Sequence, residues 1–324
     1  MSNREKMFKK LILLMLLIPI VSSATEEFKN KTFTIVVPYA AGSQSDIVAR
    51  TVSKVVTDQT GINTVVINKG GAFGTIGARY VADSTDGLTL CLCDGSNVYT
   101  NRLLNVSNAV DIDQLKIVAA VSNGYLALVV PSNSPFNTVQ ELVAFLKKSP
   151  EKSIYSNSGS VMALQSRNFL NRAGVNGKIE SLTLRGDVDI QQIVVRGDVT
   201  FSFMSVASSK MLQDSGKLKV LAVDFDTRTA MFPKVPTLTE IYGPRSLTSF
   251  YALYVSSNVP EPTRKKLNTI WVNAINSTEV EQLLSKQDRQ KLGYNIEKSE
   301  EFFKKQLEFT SKLIENDKKD LTLQ

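Results

Sequence analysis

The chain has 324 residues, and its 38 Lys and Arg against 31 Asp and Glu give a formal charge of +7 at pH 7. This excess is too small for the strongly basic footprint of a nucleic-acid-binding protein, so we expect no nucleic-acid partner, although a mild positive field suits a small anionic ligand. The chain contains no histidine, which removes the usual general base, the histidine-containing catalytic triads and the commonest zinc ligand, so we predict no enzyme, no metal site and no other cofactor.

The first 24 residues have the pattern of a cleavable export signal. Basic residues between Arg4 and Lys10 precede an apolar stretch at 11–21, and Ser22-Ser23-Ala24 supplies the small residues that cleavage requires. A membrane anchor is the less favoured alternative, because the apolar stretch is shorter than the roughly 20 residues that cross a bilayer. We expect cleavage near Ala24 and, in a cell with two membranes, a periplasmic mature protein.

Strands and helices alternate along the rest of the chain, a pattern that predicts an α/β fold with parallel sheets. The predicted strands cover residues 32–37, 62–67, 88–93, 126–130, 153–156, 178–184, 199–204, 219–223 and 250–255. One predicted helix begins at the capping sequence Ser43-Gln44-Ser45-Asp46. The other main predicted helices cover residues 78–82, 138–148 and 302–314, and two more begin after residue 160 and at residue 262. Cys91 and Cys93 point to one face of a strand, so we expect them to pack in the core without a disulfide.

Several polar or glycine-bearing loops follow predicted strands and precede helices. Such a loop exposes backbone N–H groups and the positive end of a helix dipole, which together bind a carboxylate without a formal cation. In open α/β sheets ligands bind beyond the carboxyl ends of the strands, where these loops fall. The candidates in the first part of the chain are Gly42, Ser43, Gly71, Gly74, Thr75 and the polar stretch 94–97, which contains Ser96.

Five sequence blocks follow one another in a characteristic order. Residues 37–46 (VPYAAGSQSD) with Ala49-Arg50 are similar to VPF-PPGG-x-x-D-x-x-AR, and residues 68–77 (NKGGAFGTIG) are similar to N-R-P-G-A-G-G-N-I-G. Residues 86–90 (DGLTL), 216–223 (GKLKVLAV) and 233–237 (PKVPT) are similar to D-G-Y-T-L, G-K-L-R-x-L-A-V and P-x-V-P-T. Together the blocks resemble the receptor component of tripartite tricarboxylate transporters, the TctC-like or Bug family, over essentially the whole mature chain.

The resemblance implies a type II periplasmic-binding-protein fold, in which two α/β lobes close on a small di-, tri- or aromatic carboxylate. The first lobe is expected to hold residues 25–123 and 248–324, and the second residues 124–247. The family's receptors deliver the ligand to one large and one small integral membrane subunit without catalysis, and we expect a monomer. A receptor for a membrane sensor kinase and a degenerate member with a repurposed cleft are the alternatives.

Further candidate ligand contacts in the first lobe lie next to the loops named above. Gln44 belongs to the capping sequence, and Asp46 either caps its helix, which we favour, or contacts the ligand. Tyr39 either lines the mouth of the cleft or packs on the loop. Phe250 stands where the family has an aromatic residue near the cleft, with core packing as the alternative.

The second lobe is expected to contribute a serine-rich loop and a cation. Ser156-Asn157-Ser158-Gly159-Ser160 follows a strand and precedes a helix, where the family has a Ser/Gly-rich loop. Arg185 occupies the family's Y-K-G position, so it is either a cationic clamp for a carboxylate or a solvated surface arginine.

Two departures from the family's pattern reshape the second lobe. Met162-Ala163-Leu164 stands where a histidine is common. The family's M-F-D-S motif reads SFMS at 202–205, so Met204 replaces an acid before Ser205. We count Met204 and Ser205 among the site residues and expect a less polar pocket that favours simple or aromatic carboxylates over amino acids.

Overall fold

The structure, a computed structural model, describes residues 25–175, 179–184, 186–243 and 248–317, and at residues 96, 97, 316 and 317 it describes the backbone alone. The predicted export signal, residues 1–24, lies outside the described residues. Among the helices that the structure describes, none has the length and apolar character that crossing a bilayer requires.

Strands and helices alternate through the described chain. The strands are β1 Thr32–Val37, β2 Asn63–Asn68, β3 Thr89–Asp94, β4 Leu115–Gly124, β5 Leu126–Pro131, β6 Ile154–Asn157, β7 Glu180–Thr183, β8 Phe201–Ser205, β9 Leu218–Asp224, β10 Ser249–Ser256 and β11 Gln290–Lys291. The α-helices are α1 Gln44–Thr60, α2 Thr75–Ala82, α3 Gly95–Leu103, α4 Val139–Lys148, α5 Ser160–Arg172, α6 Asp187–Arg196, α7 Val206–Asp214, α8 Leu238–Tyr242, α9 Glu261–Ile275, α10 Thr278–Lys286 and α11 Ile296–Asp317.

These elements form two sheets, each flanked by helices. The first sheet has the order β11-β4-β10-β3-β1-β2, and the second has the order β7-β6-β8-β5-β9. The first sheet therefore combines strands from before residue 125 with strands from after residue 248, and the second lies wholly between them. The exact lobe boundaries at 123 and 247 stay a prediction, because the second crossing falls at residues 244–247, outside the described chain.

The prediction of parallel sheets is wrong, because both sheets are mixed. β1 runs parallel to β2 and β3, whereas β10 runs antiparallel to β3 and β4. In the second sheet β6 runs parallel to β7 and β8, whereas β5 runs antiparallel to β8 and β9. β5 and β10 are the strands that enter a sheet after the chain has crossed from the other one. Each begins beside the carboxyl ends of its neighbouring strands and is therefore antiparallel to them.

Each lobe has an aromatic core. In the first lobe the fully buried Trp271 packs with its ring centroid 5.8 Å from that of Phe33. In the second lobe Phe169 packs edge-on against Phe201, with ring centroids 5.5 Å apart. Cys91 and Cys93 are buried free thiols, which agrees with the prediction that they pack in the core. Two separate apolar cores allow the lobes to keep their shape while the space between them changes.

The two lobes also touch each other through apolar side chains. Leu164 of α5 packs against Leu313 and Ile314 of α11, so the second lobe rests on the last helix of the first. The structure therefore has its lobes in contact.

Candidate functional site

The loop between β1 and α1 is held by the buried carboxylate of Asp46. Its Oδ2 accepts hydrogen bonds from the Gly42 N–H at 2.9 Å and from Arg50 Nε at 3.0 Å, and its Oδ1 accepts from Asn68 at 2.9 Å. Burial alone raises the pKa of Asp46, but these hydrogen bonds outweigh it and hold the pKa below its usual value. Asp46 therefore keeps its charge and fixes the loop, which fits the helix-start role predicted for it.

Ser43 caps α1, since its hydroxyl accepts a hydrogen bond from the Asp46 N–H at 3.3 Å. Gly42 and Ser43 do not offer their N–H groups outward as expected: Gly42 donates to Asp46, and Ser43 donates to the Ala40 carbonyl at 3.2 Å. The first two helical N–H groups, on Gln44 and Ser45, have no intrahelical acceptor. These two N–H groups, and not those of Gly42 and Ser43, are the candidate anion donors of the first turn of α1.

A small cavity joins the second predicted loop to the end of β3. It is about 10 Å³, about the size of one water molecule. Its lining residues are Pro38, Tyr39, Phe73, Gly74, Thr75, Ala78, Cys93, Asp94, Val98, Asn101 and Val110. Tyr39, Gly74 and Thr75 are thus brought together as predicted, with Asp94 and Asn101 beside them. The Thr75 hydroxyl is committed to the Ala72 carbonyl at 2.8 Å.

Two other predicted residues of this lobe have different surroundings. The Ser96 side chain lies outside the described part of the structure. Phe250 is fully buried, and its ring lies 5.0 Å from that of Phe302 and 6.3 Å from that of Tyr99. α3 begins directly above it, because a Cβ on Gly95 would fall 2.1 Å from the Phe250 ring. Its surroundings are those of the core alternative.

The hydroxyl groups of the serine loop in the second lobe have partners in different places, some inside the lobe and one in the first lobe. The Ser156 hydroxyl bonds to that of Ser202 at 2.8 Å, and both are fully buried. Ser158 donates to the Asp187 carboxylate at 3.4 Å. Gly159 precedes α5, and the Ser160 hydroxyl donates to Asn101 of the first lobe at 2.6 Å. Ser160 therefore faces the opposite lobe, whereas Ser158 bonds to Asp187 of its own lobe.

A second pocket lies at the start of α6 and α7. It contains the two predicted residues Met204 and Ser205, with Asp187, Ile190, Gln191, Phe203 and Ser208. Ser205 caps α7 and accepts a hydrogen bond from Gln44 of the first lobe at 3.1 Å. Arg185 lies outside the described residues. Polar bonds from Gln44 and from Ser160 thus connect the two lobes.

A charged cluster lies between these pockets, and apart from Asp94, which belongs to the predicted polar stretch 94–97, the sequence motifs did not indicate it. Arg289 is 8% exposed and donates to Ser122 at 3.0 Å and to the Ser249 carbonyl at 2.9 Å. Its guanidinium carbon lies 3.7 Å from the centroid of the Tyr251 ring. The Ser249 hydroxyl donates to the Asp94 carboxylate at 2.5 Å. One face of the first sheet therefore ends in a fixed set of charged and hydroxyl groups.

The pKa values of this cluster show that its members act on one another. Burial raises the pKa of Tyr251 to about 12, with Arg289 opposing the shift and Asp187 and Asp94 adding to it. Burial also raises the pKa of Asp187, where the Ser158 hydrogen bond opposes the shift and Asp94 adds to it. Asp187 of the second lobe is therefore within electrostatic reach of Asp94, Tyr251 and Arg289 of the first. The one sequence feature that pointed to Asp187 is its position directly after Arg185-Gly186, and no sequence feature pointed to Arg289.

The groups gathered between the lobes are suited to binding a small polar ligand. Among the described residues no group of three or more Cys, Asp and Glu is placed to hold a metal ion. The available groups are hydroxyls, helix-start N–H groups, an arginine and two carboxylates, and they come from both lobes. Such groups recognise a small polar ligand that lies between the lobes.

Comparison with known proteins gives consistent matches. Residues 48–318 match the model of the tripartite tricarboxylate transporter family receptor. The UPF0065 protein in the gbd 5' region of Cupriavidus necator is 26% identical over 283 residues, which cover 86% of this chain and 84% of that protein. Protein BugT of Bordetella pertussis is 26% identical over 232 residues, 70% of each chain.

Solved structures share the architecture. The periplasmic binding protein BugD has a TM-score of 0.80 at 22% identity, covering 89% of this chain and 98% of its own. MatC from Rhodopseudomonas palustris, solved with bound malate, has a TM-score of 0.78 at 21% identity, covering 89% and 100%. R. palustris Rpa4515, solved with adipate, has a TM-score of 0.81 at 22% identity, covering 89% and 97%. The predicted two-lobed periplasmic-binding-protein fold is confirmed.

Proposed function

Because the chain belongs to the tripartite tricarboxylate transporter family of receptors, we propose that it captures a small carboxylate between its two lobes and delivers it to a membrane transporter. The observation that carries this proposal is the set of polar groups that meet between the lobes. Gln44 bonds to Ser205 and Ser160 bonds to Asn101, each across the cleft. A ligand in this space contacts loops that follow strands of both sheets, so that binding favours the closed arrangement.

The ligand class is supported by the structural neighbours and by the donors in the cleft. MatC holds malate and Rpa4515 holds adipate, both dicarboxylates. In this chain the first-turn N–H groups of α1 and the hydroxyls of the serine loop offer hydrogen bonds of the kind that an anion accepts. The proposed contacts are Tyr39, the first turn from Ser43 to Ser45, Thr75, Ser158, Ser160, Arg185 and Ser205.

The proposal extends to location and partners. An export signal that ends near Ala24 releases residues 25–324 into the periplasm, where lobe 1 comprises 25–123 with 248–324 and lobe 2 comprises 124–247. The receptor acts as a monomer and docks on one large and one small integral membrane subunit. Uptake of labelled ligand by cells that express the receptor with both subunits, and its loss when the receptor gene is deleted, tests delivery. Normal uptake without the receptor contradicts this role.

Binding is tested by thermal unfolding of residues 25–324 after unfolding and refolding to remove any bound ligand. A ligand at 100 times its Kd adds about 2.7 kcal/mol to the free energy of unfolding, which raises Tm by a few degrees in a chain of this size. The panel contains di- and tricarboxylates, aromatic carboxylates, amino acids and uncharged sugars. A rise in Tm that is confined to carboxylates, with or without an amino group, supports the proposal. No rise in Tm with any carboxylate contradicts it.

Two matched variants separate binding from stability. Ser43→Ala and Ser277→Ala each remove the cap of a helix, since the Ser277 hydroxyl accepts from the Val280 N–H at 3.3 Å. Each loses about 1 kcal/mol of stability. Ser43 adjoins Gln44, whose side chain bonds to Ser205 of the second lobe, whereas Ser277 caps α10. Only Ser43→Ala is expected to weaken carboxylate binding, and an equal loss of affinity in both variants contradicts the placement of the site.

A further inference from the structure

A strip of contacts between the lobes runs along one face of α5 in the second lobe. Ser160, in the first turn of α5, donates to Asn101 of α3 at 2.6 Å. Leu164 lies four residues further along α5 and therefore on the same face of the helix. The strip thus begins at the serine loop of the cleft. Because α5 moves as one body, a movement that separates Ser160 from Asn101 also draws Leu164 away from the first lobe.

Leu164 is covered by side chains of the first lobe. Only 1% of it is exposed. It forms a cluster with Leu313 and Ile314 of α11, against which three partly buried side chains pack, those of Leu103, Leu104 and Phe309. All these partners lie on α11 or at the end of α3, and the cluster is separate from the aromatic cores of the two lobes. Separation of the lobes therefore exposes apolar surface that is buried while they touch, which favours the contact.

Polar groups on the same two helices oppose this contact. Gln165 directly follows Leu164 and is fully buried, and neither atom of its amide group has a hydrogen-bond partner in the part of the chain that the structure describes. Thr310 lies four residues before Ile314 on α11 and is also fully buried, and its hydroxyl likewise has no partner among the described residues. A buried polar group without a partner costs free energy, and exposure to water removes that cost.

We propose that the seam between α5 and α11, formed by Leu164, Gln165, Thr310, Leu313 and Ile314, is a latch that sets the balance between contacting and separated lobes. The apolar side chains favour contact. The amide and the hydroxyl favour separation, because water satisfies them once the helices part. The two effects oppose each other and keep the two arrangements close in free energy. The inference goes beyond the proposed function, since it concerns the lobes alone and names no ligand.

The latch influences affinity without contacting the ligand. A ligand that bridges the lobes binds the contacting arrangement, so its apparent Kd equals its intrinsic Kd divided by the fraction of molecules in that arrangement. A weaker latch therefore raises the apparent Kd of every such ligand by the same factor. Loss of a direct ligand contact instead changes the Kd of each ligand by a different factor.

Single-molecule fluorescence energy transfer on refolded, ligand-free residues 25–324 tests the latch. The two dyes are attached through Asp58→Cys on α1 and Asp214→Cys on α7, which are exposed positions in different lobes. Leu164→Ala removes most of the apolar contact and is expected to shift the equilibrium toward separated lobes by about tenfold or more. An unchanged equilibrium overturns the inference and leaves the carboxylate receptor standing.

Leu142→Ala is the matched control. Leu142 is a fully buried leucine on α4, within the core of the second lobe. Its truncation should lower the free energy of unfolding without moving the equilibrium between the lobes. A similar shift in both variants overturns the inference, because loss of packing anywhere in the second lobe is then enough to separate the lobes.

Thr310→Val tests the opposing effect and decides the matter if Leu164→Ala fails to fold. Valine has nearly the shape of threonine and lacks the hydroxyl that has no partner. The variant is expected to shift the equilibrium toward contacting lobes by about fivefold or more. No shift, or a shift toward separated lobes, overturns the inference.

Discussion

Replacing Asp46 with asparagine is expected to destabilise the first lobe strongly without changing its shape. The carboxylate accepts from Gly42, Asn68 and Arg50 while only 3% of the residue is exposed. Asparagine has one oxygen, so one side of this network meets an NH₂ group that cannot accept. The variant therefore loses either the bond from Asn68 or the bonds from Gly42 and Arg50.

The size of the loss follows from these contacts. A hydrogen bond to a charged group contributes about 1.5–3 kcal/mol, and a buried donor left without an acceptor adds a further cost. The Arg50 side chain is 51% exposed, so its ion pair with Asp46 is screened by solvent and adds at most about 1 kcal/mol. We expect Asp46→Asn to lower the free energy of unfolding by about 2–4 kcal/mol at neutral pH.

Urea unfolding followed by fluorescence measures this loss. Trp271 is the chain's one tryptophan and lies in the core against which α1 packs, so its emission reports the first lobe. Asp58→Asn on the same helix is the control, because Asp58 pairs with Lys54 on the surface, where solvent screens the ion pair and little stability depends on it. A loss below about 1 kcal/mol in Asp46→Asn, or an equal loss in Asp58→Asn, refutes the role assigned to Asp46.

Three further predictions concern other parts of the chain. Phe250→Ala is expected to lose about 3–5 kcal/mol of stability through the cavity it leaves, as urea unfolding will show, and a loss below about 1 kcal/mol contradicts core packing. The hydrogen bond from Lys266 is the largest cause that holds the pKa of Glu27 below its usual value. The stability that Glu27 contributes is therefore present above its unfolded-state pKa and is lost as the pH falls through the lower native pKa. Glu27→Gln should be less stable than wild type by about 0.5 kcal/mol at neutral pH and as stable as wild type in strong acid, as urea unfolding at both pH values will show. Burial raises the pKa of the Cys93 thiol, so a thiol reagent should label it and Cys91 only after unfolding, and rapid labelling of the native protein contradicts their burial.

The elements with a strong local pattern were predictable from sequence. β1 spans the residues predicted for it, and α1 begins at the predicted cap, because both depend on neighbouring residues alone. β4 was missed, although its ten residues lie between β11 and β10 in the first sheet. Its sequence ends in Ser122-Asn123-Gly124, which is typical of a turn, and pairing with the distant strands β10 and β11 makes those residues a strand. α3 was missed because it begins at Gly95 with no loop after β3.

Strand direction and the charged cluster could not be predicted because both depend on distant parts of the chain. The direction of β10 follows from the return of the chain from the second lobe, which no local pattern encodes. Asp94, Asp187 and Arg289 come from three separated segments, and only the fold brings them together. The serine loop and the first turn of α1 could be proposed as candidates from sequence because each combines strand, loop and helix start within a few residues.

The crystal structure of residues 25–324 with the carboxylate that raises Tm most tests the central claim most directly. The claim predicts electron density for the ligand between the lobes, with its carboxylate within hydrogen-bond distance of residues from both, the first turn of α1 or Arg289 on one side and the loop from Ser158 to Ser160 or Asp187 on the other. Ligand density on the surface of one lobe, with the space between the lobes empty, would contradict it.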